Sequence, residues 1–399
     1  MIRELDVERE RRVRVQRFAC GGCGKSFSLR RARRYRYSEA FEEEVVRRHL
    51  EGGESYRVIA RRVYERSGRR ISPTSLQKMV EGVGRRCKTA WEMSQELRPR
   101  WDGFVLFDEK MCSVRGEQQW FYLAVDRTGD IVHCRPVSEL TVEEAMKFLE
   151  EVVALPMRVR GIVTDLDAAL TKAVKLVYAG KPHQYCVKHA LAAIEKLIRY
   201  REITDYQRTN RNLLRGEFVR LRDRRGIWVQ RARQEFLGHW EQTRAVSERH
   251  RGIRELWNAC RRVLFADSER EAQEHFKRLR RSRSLPRAQQ QKAVRFLDRH
   301  WDHLMMHHRV PGLPRTTNFV ENVNKQLERR FKTIEAFQHR ATAIGYVNLL
   351  VAYLRQKPYT DCRGSRRHLN GKSRLQAAGV RHPMGWLRPA LKSLKIGNR

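Results

Sequence analysis

Two aspartates stand directly after short apolar runs of the sequence. Asp108 ends the run FVLFD and Asp165 ends the run GIVTD, and both runs have the composition of short buried strands. Open α/β sheets place their functional sites at the carboxyl ends of strands. Two carboxylates brought together there repel each other unless a divalent cation neutralises them. The pair therefore indicates a metal site, while each aspartate alone could equally be a helix cap or a turn residue.

A third carboxylate, Glu321, lies in the segment RTTNFVENVNKQLERRF. Thr316, Thr317 and Asn318 are good N-cap residues, so the segment predicts a helix with Glu321 in its first turn. An acid in that position also stabilises a helix through the helix dipole alone. The Thr and Asn residues around Glu321, Asn324 among them, make the pattern more specific than a dipole interaction.

The elements that would position the two aspartates lie in residues 104–198. Apolar runs and turn signals predict the order β-β-β-α-β-α-β-α. The predicted strands are 104–108, 119–126, 130–137, 158–165 and 183–186, and the predicted helices are 141–155, 166–180 and 188–198. Residues 199–310 are highly charged and predict helices only, and 315–357 return to a helical pattern. The expected fold class is α/β, a mixed sheet core interrupted by an all-helical insertion.

The insertion contains several tryptophans that we expect to anchor helix packing. They are Trp228, Trp240, Trp257 and Trp301. A second interpretation is that one of them stacks on a flipped base of a bound nucleic acid.

Cysteine and histidine form two further candidate sites. Cys186 and His189 follow the last predicted strand with the spacing Cys-x-x-His, which is half of a zinc site; we favour a buried structural pair that supports the core. Cys20 and Cys23 resemble one knuckle of a zinc ribbon, which needs four ligands. Distant candidates for the missing ligands are His49 and Cys87. The sequence leaves open whether zinc binds at Cys20 and Cys23 or whether that site is incomplete.

Residues 38–86 predict three short helices that fit a helix-turn-helix. Ser38 and Ser72 are the expected N-caps, and the third helix would be the one that reads DNA. The residues expected to face DNA bases are Thr74, Ser75, Gln77 and Lys78, and those expected near phosphates include Arg57 and Arg61. The alternative is a plain three-helix packing unit.

The composition favours a polyanionic partner. The 399 residues contain 84 Lys and Arg against 46 Asp and Glu, which gives a net charge of +38. Arginine, whose planar fork suits phosphate, makes up most of the excess. No run of about 18 apolar residues predicts a membrane span, and the charged N-terminus has no signal-peptide core. We therefore expect a cytoplasmic, nucleoid-associated protein whose cysteines are thiols or metal ligands.

The segments FVLFDE, GIVTD, YCVKH and RTTNFVENVNKQLERRF together resemble the DDE transposases with a ribonuclease H-like core, most of all the Mutator-like and related bacterial and archaeal insertion-sequence families. The resemblance covers roughly residues 104–357. It implies that Asp108, Asp165 and Glu321 are catalytic and hold two Mg²⁺ (or Mn²⁺) ions. It also implies that Cys186 and His189 are the family's Cys-x-x-His motif, and that a helical insertion precedes Glu321.

The function that follows from the resemblance is binding of transposon terminal inverted repeats, then metal-dependent strand cleavage and strand transfer. The expected partner is double-stranded DNA, both transposon ends and target, bound by a homo-oligomer. One alternative is a transposase-derived DNA-binding regulator that no longer cuts. Another is a ribonuclease or repair nuclease with the same core. Asp126 and Asp167 are the fallback candidates for the second acid; we expect Asp126 to point elsewhere and Asp167 to lie just inside the helix that follows it.

The expected domain organisation has six parts. They are a basic segment with a partial zinc ribbon (1–37), a helix-turn-helix domain (38–100), the first part of a ribonuclease H-like catalytic core (101–198), a helical insertion (199–310), the second part of the core (311–360) and a basic tail (361–399).

Overall fold

The computed structural model describes residues 17–19, 21–24, 26–28, 37–223, 230–334 and 336–381. This part of the chain is of mixed α/β class, and most of it is helical. A short antiparallel ribbon comes first, formed by β1 (Arg17–Ala19) and β2 (Ser26–Ser28). The remaining strands form one five-stranded sheet: β3 (Phe104–Val114), β4 (Glu117–Asp126), β5 (Ile131–Val137), β6 (Gly161–Thr164) and β7 (His183–Tyr185).

The five-stranded sheet has the order β5-β4-β3-β6-β7. β3, β4 and β5 are antiparallel neighbours, whereas β6 runs parallel to β3 and β7 runs parallel to β6. The sequence predicts these five strands and their order along the chain, but not their order in the sheet, and it wrongly ends the first strand at Asp108. β3 continues to Val114 because β4 pairs with it that far, while β6 pairs only with Phe104–Leu106. The second half of β3 is polar, so a search for apolar runs misses it.

Four helices precede the sheet: α1 (Glu39–Leu50), α2 (Tyr56–Ser67), α3 (Pro73–Arg86) and α4 (Ala90–Leu97). The predicted caps are confirmed, since the hydroxyls of Ser38 and Ser72 accept the backbone N–H groups three residues further on. α2 ends at Gly68, which has a φ of 65° and closes the helix in the left-handed conformation that glycine adopts easily.

The remaining helices follow in chain order. They are α5 (Val142–Val153), α6 (Ala168–Val177), α7 (Val187–Leu197), α8 (Tyr200–Asp223), α9 (Gln230–Leu264), α10 (Glu269–Arg281), α11 (Arg287–Arg309), α12 (Asn318–Ile334), α13 (Arg340–Gln356), a 3₁₀ helix (Gly364–Leu369) and α14 (Arg374–Ala377). No described helix is both long and apolar enough to cross a membrane.

The sheet is covered on both faces because apolar residues fill both sides of β3 and β4. Successive side chains of a strand point to opposite faces. Val105 and Phe107 belong to the apolar cluster with α5 and α6, whereas Phe104 and Leu106 belong to the cluster with α1–α4, α12 and α13. The helices at 39–97 therefore share one continuous core with the sheet and with α12 and α13.

Two contacts fix the N-terminal helices to the rest of the fold. α3 crosses α13 at a pair of glycines, where a Cβ atom on Gly84 would lie 2.8 Å from the carbonyl oxygen of Gly345. Arg355 of α13 is fully buried and donates to both carboxylate oxygens of Asp130, at 3.0 and 2.9 Å, and to the carbonyl of Ala90 at 3.0 Å. These contacts join α3, α4, α13 and the β4–β5 turn.

The helical insertion packs beside β7 rather than over the sheet. Leu304 and His307 of α11 hydrogen-bond the side chain of Gln184 on β7, which is the edge strand. Trp257 donates to Glu195 at 2.8 Å and Trp301 stacks on a phenylalanine, so these two anchor packing as predicted.

Neither of the other two tryptophans of the insertion, Trp240 and Trp228, is confirmed as a packing anchor. Trp240 is 52% exposed, so its prediction as a packing anchor is wrong. It lies on α9 among residues 237–242, all of which are exposed. Trp228 lies outside the described residues.

The segment predicted as a basic tail is described as far as residue 381, and there it packs on the body of the protein. Arg366 donates to the carbonyl of Thr128 at 3.1 Å, and the carbonyl of Ala378 accepts the N–H of Arg100 at 2.7 Å. Residues 358–374 thereby form one wall of the groove discussed below.

Candidate active site

Asp108 and Asp165 come together because β3 and β6 are parallel neighbours. The pairing of the two strands ends at Leu106 and Val163, and each aspartate follows two residues later. One oxygen each of Asp108, Asp165 and Glu109 lie within 4.8 Å of one another. Asp108 is therefore within a strand and not at its end as predicted, but it stands where the parallel pairing stops.

Glu321 lies in the first turn of α12, and its charge raises the pKa of Asp108, but its carboxylate groups with Cys186 and His189 and not with Asp108, Glu109 and Asp165. Its backbone N–H bonds the carbonyl of Thr317 at 2.9 Å, and its carboxylate accepts the hydroxyl of Thr317 at 2.8 Å. One turn further on, Asn324 donates to Oδ2 of Asp108 at 2.7 Å and to the carbonyl of Glu109 at 3.3 Å. Residues three apart share a helix face, so Glu321 and Asn324 are neighbours on α12.

Burial and mutual repulsion dominate the electrostatics of the acids. Desolvation, the charge of Asp165 and the charge of Glu321 raise the pKa of Asp108 to about 7. Burial likewise raises the pKa of Glu109 to about 8, with further contributions from Asp165 and Asp108, and it raises the pKa of Asp165. Carboxyls in this state resist ionisation until a cation compensates their charge.

The side chains of Cys186 and His189 lie beside Glu321. The buried sulfur of Cys186 accepts the N–H of Thr317 at 3.4 Å and lies 3.3 Å from its hydroxyl oxygen. Burial alone would raise the pKa of Cys186, but hydrogen bonds from His189 and Thr317 lower it. The bond to Cys186 is the main cause that raises the pKa of His189 to about 9. One ligand atom each of Cys186, His189 and Glu321 lie within 4.8 Å of one another.

Glu109 is a site residue to which the sequence analysis assigns no role. Its Oε2 atom is buried and has no hydrogen-bond partner among the described residues. A buried carboxylate oxygen without a partner is costly, and a bound cation is one way to satisfy it. The sequence marks Glu109 only as a second acid directly after Asp108 in FVLFDE. Because neighbouring residues of a strand point to opposite faces, the strand pattern places Glu109 away from Asp108 and from the site.

The carboxylates of the two fallback acids, Asp126 and Asp167, accept hydrogen bonds from backbone N–H groups. Asp167 lies just before α6 and not inside it as predicted, since it is the N-cap and accepts the N–H of Leu170 at 2.8 Å. Asp126 ends β4 and accepts the N–H of Thr128 at 2.9 Å. Burial, helped by Asp102, raises the pKa of Asp126 to about 7.

The residues predicted to face DNA lie on the surface of α2 and α3. Among them, Ser75 is half-buried, and its hydroxyl lies 2.8 Å from that of Ser72. Exposed side chains are those of Thr74, Gln77, Lys78, Arg57 and Arg61. Side chains that contact DNA bases or phosphates must be exposed, and these are. The same exposure would be found in a plain three-helix packing unit that does not bind DNA.

The predicted zinc site is described only in part. Cys23 is an exposed free thiol, and Cys20 lies outside the described residues. The two distant candidates, His49 and Cys87, are buried in the core with α1 and α3. Within the described ranges, Cys23 joins no cluster of three potential metal ligands.

No protein-family model matches the chain, and a comparison with curated proteins finds no match. Among solved structures, the chain is similar to a chain of the cryo-EM structure of the simian T-cell lymphotropic virus intasome in complex with the PP2A regulatory subunit B56 gamma. The two are 14% identical, and the match covers 48% of this chain and 66% of that chain with a TM-score of 0.20. The match thus spans just under two thirds of that chain, and at this TM-score it supports no conclusion about fold or function.

Proposed function

We propose that the chain is a DDE transposase, which binds transposon terminal inverted repeats and catalyses strand cleavage and strand transfer. The observation that carries the proposal is the cluster of Asp108, Glu109 and Asp165 within 4.8 Å, beside which the charge of Glu321 raises the pKa of Asp108. Asp108 and Asp165 come from adjacent parallel strands, and Glu321 comes from α12, which Asn324 fastens to Asp108.

The residues present fit a pair of Mg²⁺ or Mn²⁺ ions. Their donor atoms are carboxylate oxygens, the ligands that hard cations prefer. The raised pKa values of Asp108 and Glu109 and the unpartnered Oε2 of Glu109 are features that added positive charge would relieve. When bound, two such ions activate a water or a 3′-hydroxyl and stabilise the leaving oxygen of an in-line phosphoryl displacement.

The residues of the chain have distinct roles in this proposal. Asp108, Asp165 and Glu321 are the metal ligands and the catalytic residues. Asn324 is a positioning residue, because it donates to Oδ2 of Asp108, whose Oδ1 accepts the N–H of Glu109. Thr317 positions Glu321 through its hydroxyl, and the side chains of Cys186 and His189 contact Thr317 in turn.

We also assign the sheet to the ribonuclease H-like class. Three antiparallel strands, then two strands added in parallel orientation beside β3, support this assignment. The all-helical insertion lies between the elements that carry Asp165 and Glu321, as in the families that the sequence resembles. In the same proposal, α2 and α3 are the helix-turn-helix that reads double-stranded DNA, and a homo-oligomer acts on the two ends.

Incubation of the purified chain with labelled end-containing duplex and Mg²⁺ tests this function. We expect strand breaks that depend on the metal and that EDTA abolishes. Binding of the same duplex without any metal-dependent cleavage would favour the non-catalytic regulator instead.

A further inference from the structure

A basic groove lies on the side of α12 away from Asp108. α12, α13 and residues 357–374 enclose a solvent-open cavity of about 620 Å³. The cationic side chains that line it are Lys325, Arg329, Arg330, Lys357, Arg366 and Arg374. The one acidic side chain in the described lining is Asp361. The groove therefore favours an anionic ligand.

α12 is the wall between this groove and the candidate active site. Asn324 faces β3, whereas Asn322, Lys325 and Arg329 line the groove. Lys325 lies four residues after Glu321 and therefore next to it on the helix surface. A ligand that contacts Lys325 would lie beside Glu321, with α12 between it and Asp108.

Arg374 forms part of the groove and is a buried cation. It is 5% exposed, its Nη1 donates to the carbonyl of Leu354 at 2.6 Å, and its Nε has no hydrogen-bond partner in the described part of the chain. No described carboxylate forms an ion pair with it; the charge of Asp130 acts on it from nearby, but Asp130 is paired with Arg355. A buried charge that is only partly compensated is costly, so a bound anion would stabilise this arrangement.

Aromatic rings contact two of the arginines of the groove. The guanidinium of Arg366 lies 4.9 Å from the ring centre of Phe319 and 5.5 Å from that of Tyr359. The guanidinium of Arg374 lies 5.1 Å from the ring centre of Tyr359. A guanidinium held in this way loses little conformational entropy on binding phosphate.

We propose that this groove binds the phosphodiester backbone of DNA, alongside the helix that carries Glu321. The cations extend over more than one turn of α12 and across to the facing wall, which suits a chain of phosphates more than a single small anion. This inference rests on the proposed function for the identity of the polyanion. It does not depend on the metal site or on the helix-turn-helix.

The test is equilibrium binding by the full-length chain in EDTA, read by the fluorescence anisotropy of a dye-labelled duplex of random sequence at several salt concentrations. The variant is Lys325→Glu with Arg329→Glu, two exposed residues of α12. We expect at least a tenfold loss of affinity and a salt slope that falls by about two, since each phosphate contact contributes roughly 0.9. Lys325→Gln with Arg329→Gln repeats the test with a milder change if the first variant does not fold.

The matched control is Arg270→Glu with Lys277→Glu, which makes the same charge change on the exposed face of α10. We expect it to bind DNA with nearly the wild-type slope. An equal loss in control and groove variants would overturn the proposal, because total charge and not the groove would then govern binding. Binding of labelled poly-glutamate that is lost in the groove variant while DNA binding is kept would also overturn it.

The two proposals fail in different ways. If the wild-type chain binds no DNA at all, the proposed function fails and the groove proposal fails with it. If the wild-type chain binds DNA and the groove variant binds equally well, only the groove proposal fails. Cleavage is not read in this experiment, so the outcome is independent of the three acids.

Discussion

The side-chain amide of Asn324 lies 2.7 Å from Oδ2 of Asp108 and so fastens α12 to β3 at the point where the acids meet. Asn324 shares a helix face with Glu321. This hydrogen bond therefore helps to orient Asp108, whose other carboxylate oxygen accepts the N–H of Glu109, and it joins the helix that carries Glu321 to β3.

Replacement of Asn324 by Ala should weaken metal binding without loss of the fold. Changes in residues that orient metal ligands typically cost about 10–100-fold in metal affinity or activity, and we expect an effect of that size. The measurement is Mn²⁺ titration of the folded variant by calorimetry. The control is Lys332→Ala, an exposed position on the same helix, and equal Mn²⁺ affinity in the two variants would contradict the role assigned to Asn324.

The raised pKa values of Asp108 and Glu109 predict how stability changes with pH. Because the folded state holds these protons more tightly than the unfolded state, the acids favour folding at low pH, and that contribution is lost as pH rises. In EDTA, the unfolding free energy of the wild type should therefore fall relative to D108N/E109Q from about pH 4 to about pH 8.

Added Mg²⁺ should reverse this loss near pH 8, because a ligand that binds only the folded state stabilises it. Chemical denaturation at several pH values, with and without Mg²⁺, makes the comparison. If the unfolding free energies of the wild type and the double variant change with pH in parallel, the pKa values of Asp108 and Glu109 are not raised in the folded protein.

The contact between Cys186 and His189 predicts that replacing the cysteine changes the pKa of His189, which nuclear magnetic resonance can measure. The bond to Cys186 is the largest cause that raises the pKa of His189 to about 9. In C186A, in EDTA, the pKa of His189 should fall toward its ordinary value. A ¹⁵N-detected pH titration of the imidazole reports it directly, and an unchanged pKa of His189 in C186A would show that the thiol is not its main partner.

The contact of Gly84 with Gly345 predicts opposite effects for two glycines of one helix. A Cβ atom on Gly84 would lie 2.8 Å from the backbone oxygen of Gly345, so Gly84→Ala should destabilise by about 1–3 kcal/mol. The nearest atom to a Cβ on Gly82 is the far end of Arg85, at 3.9 Å. Gly82→Ala should therefore stabilise by up to about 1 kcal/mol, since alanine is the better helix former. Thermal unfolding of the two variants tests this prediction. Equal shifts of the melting temperature in the two variants would contradict the close crossing of α3 and α13.

Local signals in the sequence are sufficient to predict the five strands of the main sheet and the helix caps at Ser38 and Ser72, but not β1, β2 or α4. Apolar runs mark the five strands, and Ser38 and Ser72 mark two helix starts, because these features depend on residues within one turn or strand. The extension of β3 to Val114 is not predictable in this way, since its polar half is fixed by pairing with β4.

The candidate site is predictable only where a residue type and its local element coincide. Asp108, Asp165 and Glu321 carry that kind of signal. The bond from Asn324 to Asp108 and the inward turn of Glu109 depend on how α12 docks on β3, which no local pattern contains. Arg374 is similar: its burial follows from the folding of 358–374 onto α13, whereas a basic C-terminal sequence predicts an exposed segment.

The most direct measurement of the central claim is DNA cleavage by three variants with the same Asp-to-Asn chemistry. D108N and D165N each remove a carboxylate from the proposed metal site, whereas D126N alters an acid at the end of β4 whose pKa is also raised to about 7. With labelled end-containing duplex and Mg²⁺, we expect D108N and D165N to bind DNA but to lose cleavage by orders of magnitude, and D126N to cleave within a few-fold of the wild type. Normal cleavage by D108N and D165N, or loss of cleavage in D126N alone, would contradict the assignment of Asp108 and Asp165 to the catalytic metal site.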